Sequence, residues 1–319
     1  MKAFAVASGL VVSLMCVGIV VALAATPASA PDSSEQAVLQ ADTSFVQAAQ
    51  IGNKAAVNKI LDTEFTWINS EGVFQDRSEV LQNLPKPVTE NGSGTGITER
   101  IYGRLGVIEA HQGRVYALRI WAKRPSGWRL LHINEITQPE IPEPPGAPAV
   151  VTDCINPCKT VPLKPATPGA AAALASWQQM ETGAFHHDWK TWGYHVAQDD
   201  ISIASYNTKP TGPSAERVRV NTQREAEHPE NHSNPVAPLL WGRLYDFGAV
   251  LMLTEHQDYN GRKPYWASRV WVSKDGRYQM EFSWHTVIEG VPAFSLYRQL
   301  DGISPGNPQA SARSAGPLK

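Results

Sequence analysis

Two hydrophobic periods run along the chain, and they mark out its elements. In residues 35–50 Ala37, Ala41, Phe45 and Ala48 fall on one helical stripe behind an N-capping Ser34, and Gly52-Asn53 breaks it. A short helix is expected over 54–61, followed by a strand opening at Phe65-Thr66-Trp67-Ile68. The period then drops to two. Residues 115–124 lead through Pro125-Ser126-Gly127 into 128–137, a long β-hairpin of β-branched and aromatic residues around a glycine turn. The same order returns later: a helix over 170–181 ending at Gly183, a short helix over 185–192, a strand over 200–203, and a hairpin of 265–274 with 277–286 turning at Asp275-Gly276. Without a gap, Ala117, Arg119 and Trp121 fall on Ala267, Arg269 and Trp271. The chain therefore reads as a duplicated α+β domain. Its halves are 31–138 and 170–290, and 205–238 is read as irregular.

Between the halves, residues 139–169 are too rich in proline for helix or interior strand and read as a stiff linker. A C-terminal tail spans 291–319, and its polar part, 301–319, reads as disordered. Residues 1–30 read as a cleaved signal peptide. Lys2 precedes an apolar run of residues 9–23, with small-residue sites at Ala22-Leu23-Ala24 and Ala28-Ser29-Ala30; the first is favoured, because Pro31 follows the second. An uncleaved anchor is the alternative reading of that run. The expected location is periplasmic or secreted, with no membrane contact after signal removal. Signal removal takes Cys16 away and leaves Cys154 and Cys158 on either side of Asn156-Pro157, which in an exported chain favours a small structural disulfide.

Composition narrows the function classes. The 319 residues carry a formal net charge of −2, which argues against a dedicated nucleic-acid binder. Ten Trp, nine Tyr and eight Phe need buried surroundings, which excludes disorder throughout. No nucleophile elbow, phosphate loop or dinucleotide fingerprint is present, and no cofactor is expected. The histidine sets His186-His187-Asp188, His228 with His232, and His256 with Asp258 do not have the spacing of a known metal site, so no metal is expected.

Several further features carry a resemblance. These are the glycine-broken helix pair, Asp62-Thr63-Glu64-Phe65-Thr66-Trp67, Glu71-Gly72, Asp76-Arg77-Ser78-Glu79 opening a third helix, and the hairpin ending in Gly127-Trp128-Arg129. Together they resemble a DUF4440 or SnoaL-like domain of the NTF2-like superfamily. The second half is a more divergent copy, with Tyr278 in place of the hairpin tryptophan. The resemblance implies two cones in tandem, each a curved antiparallel sheet wrapped over N-terminal helices around an apolar pocket. It also implies sheets able to pair into a homodimer. Superfamily members include isomerases, cyclases, dehydratases and binding domains, so the fold alone names no reaction.

Candidate site residues follow from strand alternation. Trp128, Leu130, His132, Asn134 and Ile136 share one face if the period of two is unbroken, and so do Tyr278, Met280, Phe282 and Trp284. Both faces are expected to look into the cones. His132 and Asn134 would then be polar anchors in an apolar pocket completed by Trp67, Trp128 and Trp284, with Arg119 and Arg269 as candidate holders of an anionic group. A satisfied core histidine and arginines stacked on tryptophan are the competing structural readings. The expected function is binding of a small apolar or amphipathic molecule. The alternative is an isomerase, cyclase or dehydratase using His132 or a carboxylate among Asp62, Glu64, Asp199 and Asp200 as acid or base.

Overall fold

The computed structural model describes residues 33–88, 98–141, 153–227, 236–257 and 263–290. The signal peptide, the centre of the linker, the tail, His228, His232 and Asp258 lie outside the described residues.

In the first half α1 (Ser33–Gln50) and α2 (Lys54–Ile60) precede β1 (Leu61–Ile68) and β2 (Phe74–Asp76). There follow α3 (Arg77–Gln82), β3 (Thr98–Tyr102), β4 (Leu105–Gln112), β5 (Val115–Arg124) and β6 (Gly127–Thr137). The second half repeats the plan with α4 (Pro168–Phe185), α5 (Trp189–Tyr194), β7 (Val196–Ala204), α6 (Ser214–Glu227), β8 (Leu239–Asp246), β9 (Val250–His256), β10 (Tyr265–Lys274) and β11 (Arg277–Val287). Local chemistry sets the boundaries. Asn53, Asp76, Thr167 and Asp188 cap their helices, and Asp76 forms a full capping box with Glu79. The sheets run β2-β1-β6-β5-β4-β3 and β7-β11-β10-β9-β8, so the first long strand of each half pairs in parallel with the last, and every other pair is antiparallel.

One expected irregular stretch is partly helical. Residues 214–227 form α6, a strongly polar helix held on its surface by pairs three and four apart, Glu216–Arg219 and Gln223–Glu227. It carries few apolar residues and buries only Ser214, so the hydrophobic pattern hides it.

Each sheet has one face on its helices and one face on the other sheet. The helix side of the first half buries Val38, Phe45, Trp67, Trp121, Trp128 and Ile133, and that of the second buries Trp177, Val196, Met252, Trp271 and Met280. The opposite faces meet in a shared core of Leu118, Ile120, Leu131, Leu253, Phe282 and Trp284 among others. The result is four layers, helices–sheet–sheet–helices, in one compact unit. Polar groups fasten the rim. The Trp266 indole donates to Gly72 O (2.9 Å), Glu289 N to Glu71 O (2.8 Å) and Arg104 N to Phe247 O (3.3 Å). Buried Glu281 receives Arg100 (3.3 Å) and the Tyr102 hydroxyl (3.2 Å) from the other half. Gly72 belongs to this junction, because a Cβ there would lie 2.4 Å from Val287 O. The sheet faces that the resemblance offered to a second copy are thus covered by the two halves of one chain.

Candidate functional site

A β-bulge in each hairpin decides which side chains enter a cone. Trp121 pairs with Leu130 but Ile120 pairs with His132, which leaves Leu131 as the extra residue; Trp271 pairs with Met280 but Val270 with Phe282, which leaves Glu281 extra. Beyond each bulge the alternation is inverted. Trp128 and Leu130 face the first cone as expected, whereas His132, Asn134 and Ile136 face the other sheet. In the second half Met280 stays in the cone, and Phe282 and Trp284 turn into the inter-sheet core.

His132 and Asn134 are therefore not in a cone. His132 is fully buried and hydrogen-bonds Thr66 Oγ1 through Nδ1 (2.8 Å) and Ser268 Oγ through Nε2 (2.9 Å). Asn134 donates to the same Ser268 hydroxyl (2.8 Å) and accepts from Thr286 Oγ1 (2.5 Å). This closed network joins the two sheets, and burial pushes the His132 pKa down to about 3. Trp284 packs edge-on to Tyr116 in the same interface (6.5 Å). Trp67 and Trp128 remain in the first cone, with Trp67 6.4 Å from both Phe45 and Phe65.

The first cone neutralises its arginine internally. Arg119, 2% exposed, donates through Nε and Nη2 to both carboxylate oxygens of Asp42 (2.7 Å each) and through Nη1 to Val88 O (3.1 Å). The Trp121 indole N–H gives the same carboxylate a third donor (3.1 Å). Nearby, burial raises the Glu135 pKa to about 7, against the Trp67 indole, the Val88 backbone and Arg119. Burial, with Glu35 and Asp42 adding to it, also raises Glu99 to about 7.

In the second cone the equivalent arginine has different company. Asp42 and Trp177 each lie eleven residues before the N-cap of the next short helix, Asn53 and Asp188, so a tryptophan stands where the acid stood. Arg269 is 3% exposed and makes no ion pair among the described residues; its charge lies 5.8 Å from the centre of the Trp177 ring. It donates to Thr254 Oγ1 (3.2 Å) and to the imidazole nitrogens His256 Nε2 (3.2 Å) and His285 Nε2 (3.1 Å), while its Nε–H has no acceptor. Burial, reinforced by Arg269, holds both histidines well below the usual imidazole range, so they are neutral acceptors. Tyr265 stacks on His256 (4.8 Å) and lies against His285 (5.1 Å), and the Tyr206 hydroxyl bonds His285 Nδ1 (2.8 Å). Tyr206, Tyr265 and His285 are partly exposed, so the cluster reaches the surface through them. Sequence reasoning singled out Arg269 here. It missed Thr254, Tyr265 and His285, whose only signal is alternation along β9, β10 and β11 beyond its bulge, and Tyr206, which follows β7 and has no such signal.

The other candidates are structural. Asp62 and Glu64 both pair with Arg124, Asp200 pairs with Arg217, and Asp199 with Arg100. His187 bonds Glu225, and among the described residues no three His, Cys, Asp or Glu side chains are grouped to hold a metal ion. Cys154 and Cys158 form the disulfide. Its loop docks on the second half, where the Asn156 side chain exchanges two hydrogen bonds with the Leu239 backbone at the start of β8 (2.9 and 3.0 Å).

No family model and no curated protein matches this chain. Solved structures are similar to it over about a third of its length. An NTF2-like protein from Cytophaga hutchinsonii shares 12% identity over 32% of this chain and 96% of its own, with a TM-score of 0.27. A protein of unknown function with a cystatin-like fold from Nostoc punctiforme shares 8% identity over 39% and 94%, TM-score 0.31. The CaMKII hub of S. rosetta shares 17% identity over 33% and 98%, TM-score 0.26.

Proposed function

We propose that this chain is an exported small-molecule-binding protein built from tandem DUF4440- or SnoaL-like domains, and that its ligand occupies the second cone rather than the first. The duplication is supported by the shared strand order, the Arg-x-Trp pair of β5 and β10, and a bulge at matching positions of β6 and β11. One observation carries the binding site: Arg269 is a buried cation with no ion pair among the described residues, in a polar cluster that reaches the surface. Glu181, the acid that feels its charge, accepts from the Trp177 indole instead (2.8 Å), and burial raises the Glu181 carboxyl despite the pull of Arg269. A buried charge without a counter-charge costs several kcal/mol, on the order of what a bound polar ligand can offset. The first cone carries no such deficit, because Asp42 saturates Arg119. Export is supported by the residues 1–30 pattern and the Cys154–Cys158 bond. A ligand-observed NMR screen of small polar fragments against the wild-type chain and Arg269→Met tests the site. Hits lost in the variant support it; hits indifferent to Arg269, or no hits, refute it.

A second reading rests on Glu135 and Glu99 of the first cone, whose carboxyls are raised to about 7 and so are suited to take up and return a proton near neutrality. That is the isomerase, cyclase or dehydratase alternative. Deuterium exchange at the α-carbons of cyclohexanone, abolished by Glu135→Gln, would favour it.

A further inference from the structure

Comparison of the two halves defines what the second cone lacks. In the first, Asp42 accepts three hydrogen bonds, from Arg119 Nε, Arg119 Nη2 and Trp121 Nε1. In the second, Arg269 Nε and Trp271 Nε1 occupy the matching positions on β10, both are buried, and neither has an acceptor. Arg269 is 3% exposed and Trp271 0%. Other buried indoles, Trp67 and Trp128 of the first cone among them, also lack an acceptor; what sets this pair of donors apart is that the two lie on one strand, two residues apart, where the sister domain holds a carboxylate.

We infer that the second cone binds a small carboxylate-bearing molecule, whose carboxylate is gripped by the Arg269 Nε–H and Trp271 Nε1–H as Asp42 is gripped in the first cone. This deepens, and rests on, the proposal that the second cone is the binding site. A planar carboxylate suits these donors, since the guanidinium edge and an indole N–H together hold one in the sister site. It also supplies a directly bonded negative charge, because the guanidinium's hydrogen-bond partners are a hydroxyl and two imidazoles, and Glu181, which feels the charge of Arg269, is bonded to the Trp177 indole instead (2.8 Å). Trp177, fully buried and bonded through its indole to Glu181 (2.8 Å), stands where the acid was, so admitting the carboxylate requires this ring to move, and it then forms an apolar wall. Together with the Tyr265 and His256 rings it favours a ligand with a flat or apolar body.

The test uses the full chain and two matched variants, Trp271→Phe and Trp121→Phe, each removing one indole N–H at nearly constant volume. Sodium benzoate, acetate and sulfate are titrated at equal ionic strength, with calorimetry and thermal melts as readouts. Benzoate and acetate should bind wild type and raise its Tm, and sulfate should do neither. Trp271→Phe should keep or raise the ligand-free Tm, since its N–H has no partner to lose, and weaken benzoate about tenfold. Trp121→Phe should do the reverse, lowering the ligand-free Tm by removing a bond to Asp42 and leaving benzoate affinity unchanged. Equal benzoate affinity in Trp271→Phe and wild type overturns the inference, as does sulfate binding as well as benzoate. If neither carboxylate binds but neutral fragments bind in an Arg269-dependent way, the carboxylate inference fails and the second-cone proposal stands. If no fragment responds to Arg269, both fail.

Discussion

His132→Leu separates a core histidine from a ligand anchor, and the inter-sheet network sets the size of its effect. The substitution keeps the volume but removes the bonds to Thr66 and Ser268, residues that are 3% and 0% exposed. Thr66 Oγ1 then has no partner, and Ser268 keeps only Asn134. Each stranded buried group costs about 1–3 kcal/mol, and the added apolar contact recovers part, so the expected loss at pH 7.5 is about 2–4 kcal/mol. The loss should shrink in acid. The His132 pKa is about 3 in the fold against an ordinary 6.5, so below 6.5 the unfolded chain binds a proton that the fold refuses. The histidine's contribution is therefore complete above pH 6.5 and drains away as the pH falls towards 3, by about 1.4 kcal/mol per pH unit. Between pH 7.5 and 4.5 the wild-type advantage over His132→Leu should fall by about 2.7 kcal/mol. Glu135 and Glu99 have raised values, so they take up protons in the fold over the same range and oppose this trend, but they cancel in the difference between the two proteins. Urea unfolding of both proteins at the two pH values is the assay. A difference below about 0.5 kcal/mol at pH 7.5, or one that does not change with pH, would refute the placement of His132 between the sheets.

The paired arginines should respond in opposite ways. Arg119→Met leaves Asp42 buried without its cation and should cost about 3–5 kcal/mol, whereas Arg269→Met removes a buried charge that has no ion pair among the described residues and should be neutral or stabilising in urea. Fragments 33–141 and 153–290 should each aggregate when expressed alone and regain solubility when co-expressed, because separation exposes the inter-sheet core; two soluble monomeric halves would contradict this. Alkylation of the exported protein should find no free thiol before reduction, and reduction should lower the Tm only slightly because the closed loop is so short.

Much of the architecture was legible in local chemistry. The helix caps, the glycine turns and the gapless match of Arg119-x-Trp121 to Arg269-x-Trp271 read directly from the residues and predicted the duplicated α+β plan. The site was not legible, for two physical reasons. A bulge adds one residue and leaves no mark in the hydrophobic pattern, so unbroken alternation puts His132, Asn134 and Trp284 on the cone face, whereas beyond Leu131 and Glu281 they turn to the other sheet. The wholly apolar face of β11 does not reveal the switch, because an inter-sheet core and a pocket wall have the same composition. Partnering across long separations was also invisible: Asp42 reaches Arg119, and nothing in the strand itself says that Arg269 has no such acid. The difference lies in one helix position, Asp42 against Trp177, and it takes on meaning only beside its sister half.

The central claim is that a small molecule sits in the second cone against Arg269. Native mass spectrometry of the full chain purified from exporting cells, wild type beside Arg269→Met, tests it most directly. The account predicts a small-molecule adduct on the wild-type chain that is absent from the variant, with both proteins folded and of equal or higher stability in the variant. An adduct that survives Arg269→Met, or a wild-type chain whose mass shows none, would contradict it.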